Sequence, residues 1–206
     1  MKTVLVVSTL LMLAAGTAMA ADSEAQMTPA ERAKIVKLLE ETRKELLDAV
    51  EKLTDEQWNY KPAPERWSVA ETAEHILLTE RLLFGTVQKA LAAPPNPEWK
   101  TRTAGKDEFI ERVLPDRSRK AEAPAAVRPA GKISREQIIR EFKEARERTL
   151  QFTRETDRAL REHTQEHPFP VFNTLNAYQW LIYIPLHNRR HDLQIAEVKA
   201  DKGFPK

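Results

Sequence analysis

Three observations predict an all-α fold, a four-helix bundle. Four segments repeat apolar residues at the 3.6-residue helical period, each opens on a helix start signal, and nothing in the chain reads as a strand. Helix one starts at Thr28, with Pro29 at the first helical position and Glu31 closing a capping box. Proline costs little there, because its missing N–H has no partner inside the helix. Its stripe is Ile35, Leu38, Leu39, Leu46, Val50 and Leu53, and it stops near Thr54, before Pro62 and Pro64. Helix two is expected from Ser68, boxed by Glu71, to about Ala93, with Val69, Ala73, Ile76, Leu83 and Val87 inward. Helix three follows Ser134, with Gln137 as its box partner, and buries Ile138, Phe142, Ala145, Phe152 and Leu160. Helix four begins near Asn173–Asn176 and runs to roughly Lys199. Pro185 inside it predicts a kink or an opened hydrogen bond, not two helices.

The connections set the topology. Helices one and two, and helices three and four, are joined by links read as short, so each pair is antiparallel. Between helices two and three lies a long connection, residues 94–132, holding six prolines. It can run back along a whole helix, so helices two and three are parallel and the bundle is up-down-down-up. Trp99 and the amphipathic piece Phe109–Leu114 lie on this connection and are candidates to cover the bundle.

Residues 1–20 carry the parts of a cleaved signal peptide: Lys2, the apolar run Val4–Leu13, and Ala18-Met19-Ala20 as an A-x-A site. The apolar run is too short for a spanning helix, which needs ~20 residues, so no stable membrane anchor is expected after cleavage. Residues 21–206 form the single domain, and its expected location is periplasmic or secreted. The chain has no cysteine, so core packing alone holds it, and thiol nucleophiles and lipoprotein processing are excluded. Lys plus Arg (33) nearly balance Asp plus Glu (31) and the signs are interleaved, which reads as solvated helix faces and excludes nucleic acid as a partner. No Ser/His/Asp order, phosphate loop or cofactor fingerprint stands out.

Five histidines remain to be placed. His187 and His191 lie four apart on helix four, about 40° apart around its axis, within a stripe that includes Trp180, Tyr183, Ile184, Gln194 and Val198. His75 lies ~10 Å into helix two and His191 ~10 Å before the end of helix four, so antiparallel helices bring them to one level. Two readings stand on the residues alone: three core imidazoles satisfied locally, or an open site for a divalent ion such as zinc, nickel or iron(II). His163 and His167 form a second pair. His163 is read as part of the last turn of helix three, His167 precedes Pro168, and the residues around them are polar, so both are expected in solvent. Trp58, Tyr60, Trp67, Phe172, Trp180 and Tyr183 read as packing at the core and helix junctions.

Trp67-Ser68-Val69 followed by His75, together with His187-Asn188-Arg189-Arg190-His191 and Gln194-Ile195, resembles the DinB-like superfamily of helical-bundle metalloproteins over about residues 28–200. The resemblance implies a four-helix bundle, often a homodimer, holding a divalent metal through His75, His187 and His191. Characterised relatives include transferases and an isomerase that use low-molecular-weight thiols, and others have been proposed as metal-dependent hydrolases. An exported chain meets such thiols less reliably, which moves the expectation towards a hydrolase acting on a small-molecule substrate through metal-bound water. The alternatives are a non-catalytic metal-binding or structural bundle, an interaction module, or a thiol-dependent transferase. Gln194 is the candidate to orient an imidazole and Glu71 a weak candidate acid or base, though its capping role explains it better. Arg190 reads as a solvated surface arginine.

Overall fold

Reciprocal caps start three of the four long helices. Thr28 and Glu31, Ser68 and Glu71, and Asn176 and Gln179 each exchange side-chain-to-backbone hydrogen bonds, satisfying donors that a helix start leaves without partners. At Ser134 only half of the expected box forms, because Gln137 turns its amide to Glu141 (2.7 Å) instead of back to the cap. The computed structural model describes residues 24–118 and 121–206; the signal-like segment 1–20 lies outside the described residues. In chain order the elements are α1 (Pro29–Val50), α2 (Asp55–Asn59), α3 (Val69–Ala92), α4 (Trp99–Thr103), α5 (Lys106–Val113), α6 (Arg135–Glu155), β1 (Thr164–Glu166), β2 (Thr174–Asn176) and α7 (Ala177–Lys199). No described helix is long and apolar enough to cross a membrane.

Helices α1, α3, α6 and α7 form the bundle, and its packing gives their directions. One apolar cluster joins Leu46 and Val50 at the end of α1 to Val69 and Ala73 at the start of α3. The same cluster takes Ile138 and Phe142 from the start of α6 and Ile195 and Val198 from the end of α7. The second cluster joins the opposite ends, with Ile35, Leu39, Val87, Leu91, Leu150 and Leu181 among its members. The order is therefore up-down-down-up. Helix α7 runs unbroken through Pro185.

A polar layer crosses the waist between the two clusters. Arg146 on α6 is fully buried, and all five of its N–H directions are used. It grips Glu80 of α3 through two bonds (3.0 and 2.8 Å), the Leu39 carbonyl and Thr42 of α1 (2.7 and 2.8 Å), and Asn188 of α7 (2.7 Å). Thr149 donates to the same Glu80 carboxylate (2.9 Å). Beside it, burial pushes the Asp192 carboxyl up to about 8, so it is protonated near neutrality.

The segment 156–176 departs from the sequence expectation. Helix α6 stops at Glu155, so Leu160 and His163 are not in its last turn. Leu160 sits instead in a 3₁₀ turn, Leu160–Glu162, and is buried there. The link to α7 is correspondingly long and holds a β-hairpin, pairing Thr164 with Asn176, Gln165 with Leu175 and Glu166 with Thr174. Three-residue strands are too short to show alternation, and β2 runs directly into the cap of α7. The expectation of solvent-exposed His163 and His167 is also corrected, since each is only 9% exposed. His163 Nδ1 lies 2.8 Å from the Ala93 carbonyl, tying the turn to the end of α3. His167 stacks on Trp180 (4.9 Å between ring centres, 13° between planes) and accepts from the Phe169 N–H. Polar sequence neighbours did not predict this, because the hairpin turns these two rings inward while the residues around them stay at the surface.

The long connection is largely built. Gly105, at φ 69, turns α4 into α5 in a conformation that favours glycine. Ile110 and Leu114 of the amphipathic piece are buried against the bundle, whereas Trp99 is only half-buried and pairs with Lys100.

Two predictions follow from burial. Arg146→Ala leaves the Glu80 carboxylate buried without its partner and is expected to lose about 3–5 kcal/mol in urea unfolding; Arg146→Met with Glu80→Leu recovers most of that loss. Burial pushes the His167 imidazole from its ordinary 6.5 down to about 4. Between these values the unfolded chain binds a proton that the folded chain does not, so stability falls as pH drops through that window. His167→Gln is expected to take up about one proton fewer on unfolding there, measured from the pH dependence of the unfolding midpoint.

Candidate metal centre

The antiparallel packing of α3 and α7 brings three imidazoles to one place. His75 comes from the second turn of α3, and His187 and His191 from successive turns of α7. Their ring centres lie 4.5 to 5.2 Å apart, and one ligand nitrogen from each falls within 4.8 Å of the other two. His75 and His191 are buried and His187 is partly buried. The Nε2 atoms of His187 and His191 are 3.2 Å apart. Two imidazoles bound to one tetrahedral ion at 2.0–2.1 Å place their nitrogens about 3.3 Å apart, so this spacing is that of neighbouring ligands.

Tautomers follow from the partners. His75 Nδ1 lies 2.7 Å from the Val127 carbonyl, which only accepts, so Nδ1 carries the proton and Nε2 keeps its lone pair. Gln194 Oε1 lies 2.9 Å from His191 Nδ1 and also accepts from Arg117 (3.2 Å). Since arginine only donates, the Gln194 atom is an oxygen, and His191 Nδ1 must be the donor to it. Burial, then the neighbouring imidazoles, holds His187 and His191 well below the usual histidine range; burial also lowers His75. Three neutral imidazoles with lone pairs available are the donor set of a divalent ion such as zinc, nickel or iron(II), and these residues fit one. No fourth histidine, cysteine or carboxylate joins the group among the described residues.

The other sequence candidates separate. Gln194 is at the site, on His191. Glu71 is outside it, with its carboxylate on the Ser68 N–H (2.8 Å) and Lys61 (3.0 Å). Arg190 is not the solvated surface residue expected. It is half-buried beside the histidines, donating to the carbonyls of Leu114 and Asp116. Sequence reasoning missed two contributors. Trp67, read there as packing, lies against His75 (4.9 Å) and stacks towards His191 (6.3 Å), and the Val127 carbonyl orients His75 from the far connection. The Trp67-Ser68-Val69 motif carried a signal for the first; a backbone carbonyl carries none.

The histidines form one end of a cleft of about 990 Å³. One wall is a single face of α3, from His75 through Thr79, Leu83 and Thr86 to Lys89, and the other includes Trp180, Tyr183 and His187 of α7. The hairpin loop and Phe109 close over it, so Phe109 lines the cleft while Trp99 does not.

Comparison with known proteins agrees with this architecture. Residues 38–195 match the DinB superfamily family model. The chain is 32% identical to YuaE, an uncharacterised protein of Bacillus subtilis (strain 168), over 168 residues, covering 79% of this chain and 95% of that one. The solved structure of YfiT from Bacillus subtilis, described as a probable metal-dependent hydrolase with an unusual four-helix bundle topology, superposes with a TM-score of 0.54. That match spans 87% of this chain and 91% of that one at 16% identity, a likeness of fold. With its family model spanning most of the bundle, the chain belongs to the DinB superfamily.

Proposed function

We propose that His75, His187 and His191 hold one divalent metal ion, and that the chain is a metal-dependent hydrolase acting on a small molecule bound in the cleft. The observation that carries this reading is the convergence of three neutral imidazoles, with no fourth protein ligand among the described residues, at one end of an open cleft. A divalent ion on such a donor set keeps a position for water or substrate, and supplies Lewis acidity and a water acidified towards neutral pH. The fold shared with YfiT, itself described as a probable metal-dependent hydrolase, supports the same direction.

The chain's own groups have definable work. The Val127 carbonyl and Gln194 keep the Nδ1 protons of His75 and His191 in place, which presents Nε2 and fixes ring orientation. Trp67 covers two of the rings and limits water on that side. Arg190 puts a positive charge beside the histidines, suited to an anionic substrate group or to negative charge developing at a carbonyl. Residues 1–20 support an exported setting, periplasmic or secreted.

Elemental analysis of the mature chain is expected to find about one divalent metal per chain. The double variant His187→Ala, His191→Ala should contain none, and equal metal in both proteins would falsify the site. Hydrolysis of a small chromogenic ester such as 4-nitrophenyl acetate should disappear with a chelator and return with zinc, nickel or iron(II). Gln194→Leu is expected to bind metal about 10–100-fold more weakly in a competition titration, with the fold unchanged by circular dichroism.

A further inference from the structure

The cleft is far longer than the chemistry of a small ester needs, and its far end has its own character. Resting on the hydrolase reading for the position of the reacting group, we propose that the cleft binds an elongated, ring-bearing apolar molecule. Its polar group sits at the histidines and its ring system lies against the Trp180–Phe172 wall.

Length comes from the helices. The α3 residues that line the cleft run from His75 past Thr86, eleven positions on, to Lys89, and the α7 residues run eleven positions back from His191 to Trp180. With His75 against His191 in antiparallel helices, Thr86 stands level with Trp180, about 16 Å from His75 and His191 and about 10 Å from His187. A volume of about 990 Å³ lies at the top of the range for sites that enclose a single drug-sized ligand.

The far wall is aromatic. His167 stacks on Trp180, Phe172 meets His167 (4.5 Å) and stands edge-on to Tyr183 (5.5 Å), and all four line the cleft. Burial keeps His167 neutral, so the four rings carry no charge, and the charged residues Glu166 and Lys89 line the cleft beside them. Flat faces and edges of this kind receive rings by offset stacking and T-shaped contact better than they receive a flexible chain. A second, independent observation points to a ligand: the Trp180 indole N–H is buried and has no hydrogen-bond partner among the described residues. Buried donors rarely stay unpaired, and an ether, ester or hydroxyl oxygen on the ring system would satisfy this one once the indole turns that edge to the cleft. The mouth is apolar too. Leu82 and Val171 both line the cleft, yet they are 46% and 66% exposed, a lip that an apolar molecule would cover on entry.

The test is titration calorimetry of the full chain, chelator-stripped and metal-loaded, with 4-phenylphenol as the probe and phenol and 1-decanol as comparators. In both forms 4-phenylphenol should bind at least about tenfold more tightly than phenol, and more tightly than 1-decanol. Thr86→Trp fills the far end from a partly exposed position, and Leu82→Glu charges the lip without touching the core. Each should weaken 4-phenylphenol by about tenfold or more, while metal content stays at the wild-type level. Equal affinity for 4-phenylphenol and phenol, tighter binding of 1-decanol, or unchanged binding in both variants would overturn the assignment. Wild-type preference for 4-phenylphenol without any ester turnover would instead uphold the ligand class and remove the hydrolase reading.

Discussion

The buried pair of Arg146 and Glu80 is the constraint on which the rest of the structure depends. A guanidinium and a carboxylate without water must meet at close range, and here they do so while also binding α1 through Leu39 and Thr42 and α7 through Asn188. Apolar stripes alone allow helices to slide by a turn at little cost, because leucine beside leucine looks much the same after the shift. A five-bonded arginine does not allow it. Asn188 follows His187 directly and Glu80 lies five residues after His75, so the polar layer sets the level at which the imidazoles meet. Helix α7 presents Asn188 to the layer and His187 and His191 to the cleft at the same height, and one helix thus couples register to site.

Much of this was legible in the amino-acid sequence, and the reasons are local. Thr28, Ser68 and Asn176 mark helix starts because their side chains satisfy backbone donors nearby, so a few residues carry the whole signal. The level of His75 and His191 could be counted from helix starts and ends because the rise per residue is constant. What escaped the reading depends on partners distant in sequence. Arg146 is one charged residue among many on an amphipathic helix, and only Glu80, Thr42 and Asn188 together make it a core residue. His167 is buried by Trp180 and Phe172, to which the hairpin delivers it. Arg190 is drawn to carbonyls of the long connection, whose path no periodicity predicts.

On the proposed reading, the cleft divides chemistry from recognition. Its histidine end carries three imidazoles, of which His75 and His191 are each oriented by a hydrogen bond outside the cluster. The hairpin end carries rings whose positions are set by packing. The two ends share the walls of α3 and α7, so the distance between them is fixed by helical geometry and not by loop conformation. Loops supply the roof and can vary in shape without disturbing that distance. A far wall with Trp180 and Tyr183 on a rigid helix favours a pre-formed pocket over one that assembles around its ligand.

The hydrogen bond from His75 to Val127 has a consequence beyond orientation. Val127 closes a short 3₁₀ turn in a proline-rich connection that also reaches the bundle through α5, through Arg117 on Gln194 and Glu197, and through the Glu74 carboxylate, which accepts from the Ala130 and Gly131 N–H groups. An ion held as proposed by the three histidines would favour the orientation of His75 that this bond holds. Thermodynamic reciprocity then requires that occupation tighten the seating of the turn by the same free energy with which the seated turn tightens occupation. If the histidines hold an ion as proposed, the connection would act as a gauge of the centre, its resistance to proteolysis or amide exchange rising with occupation.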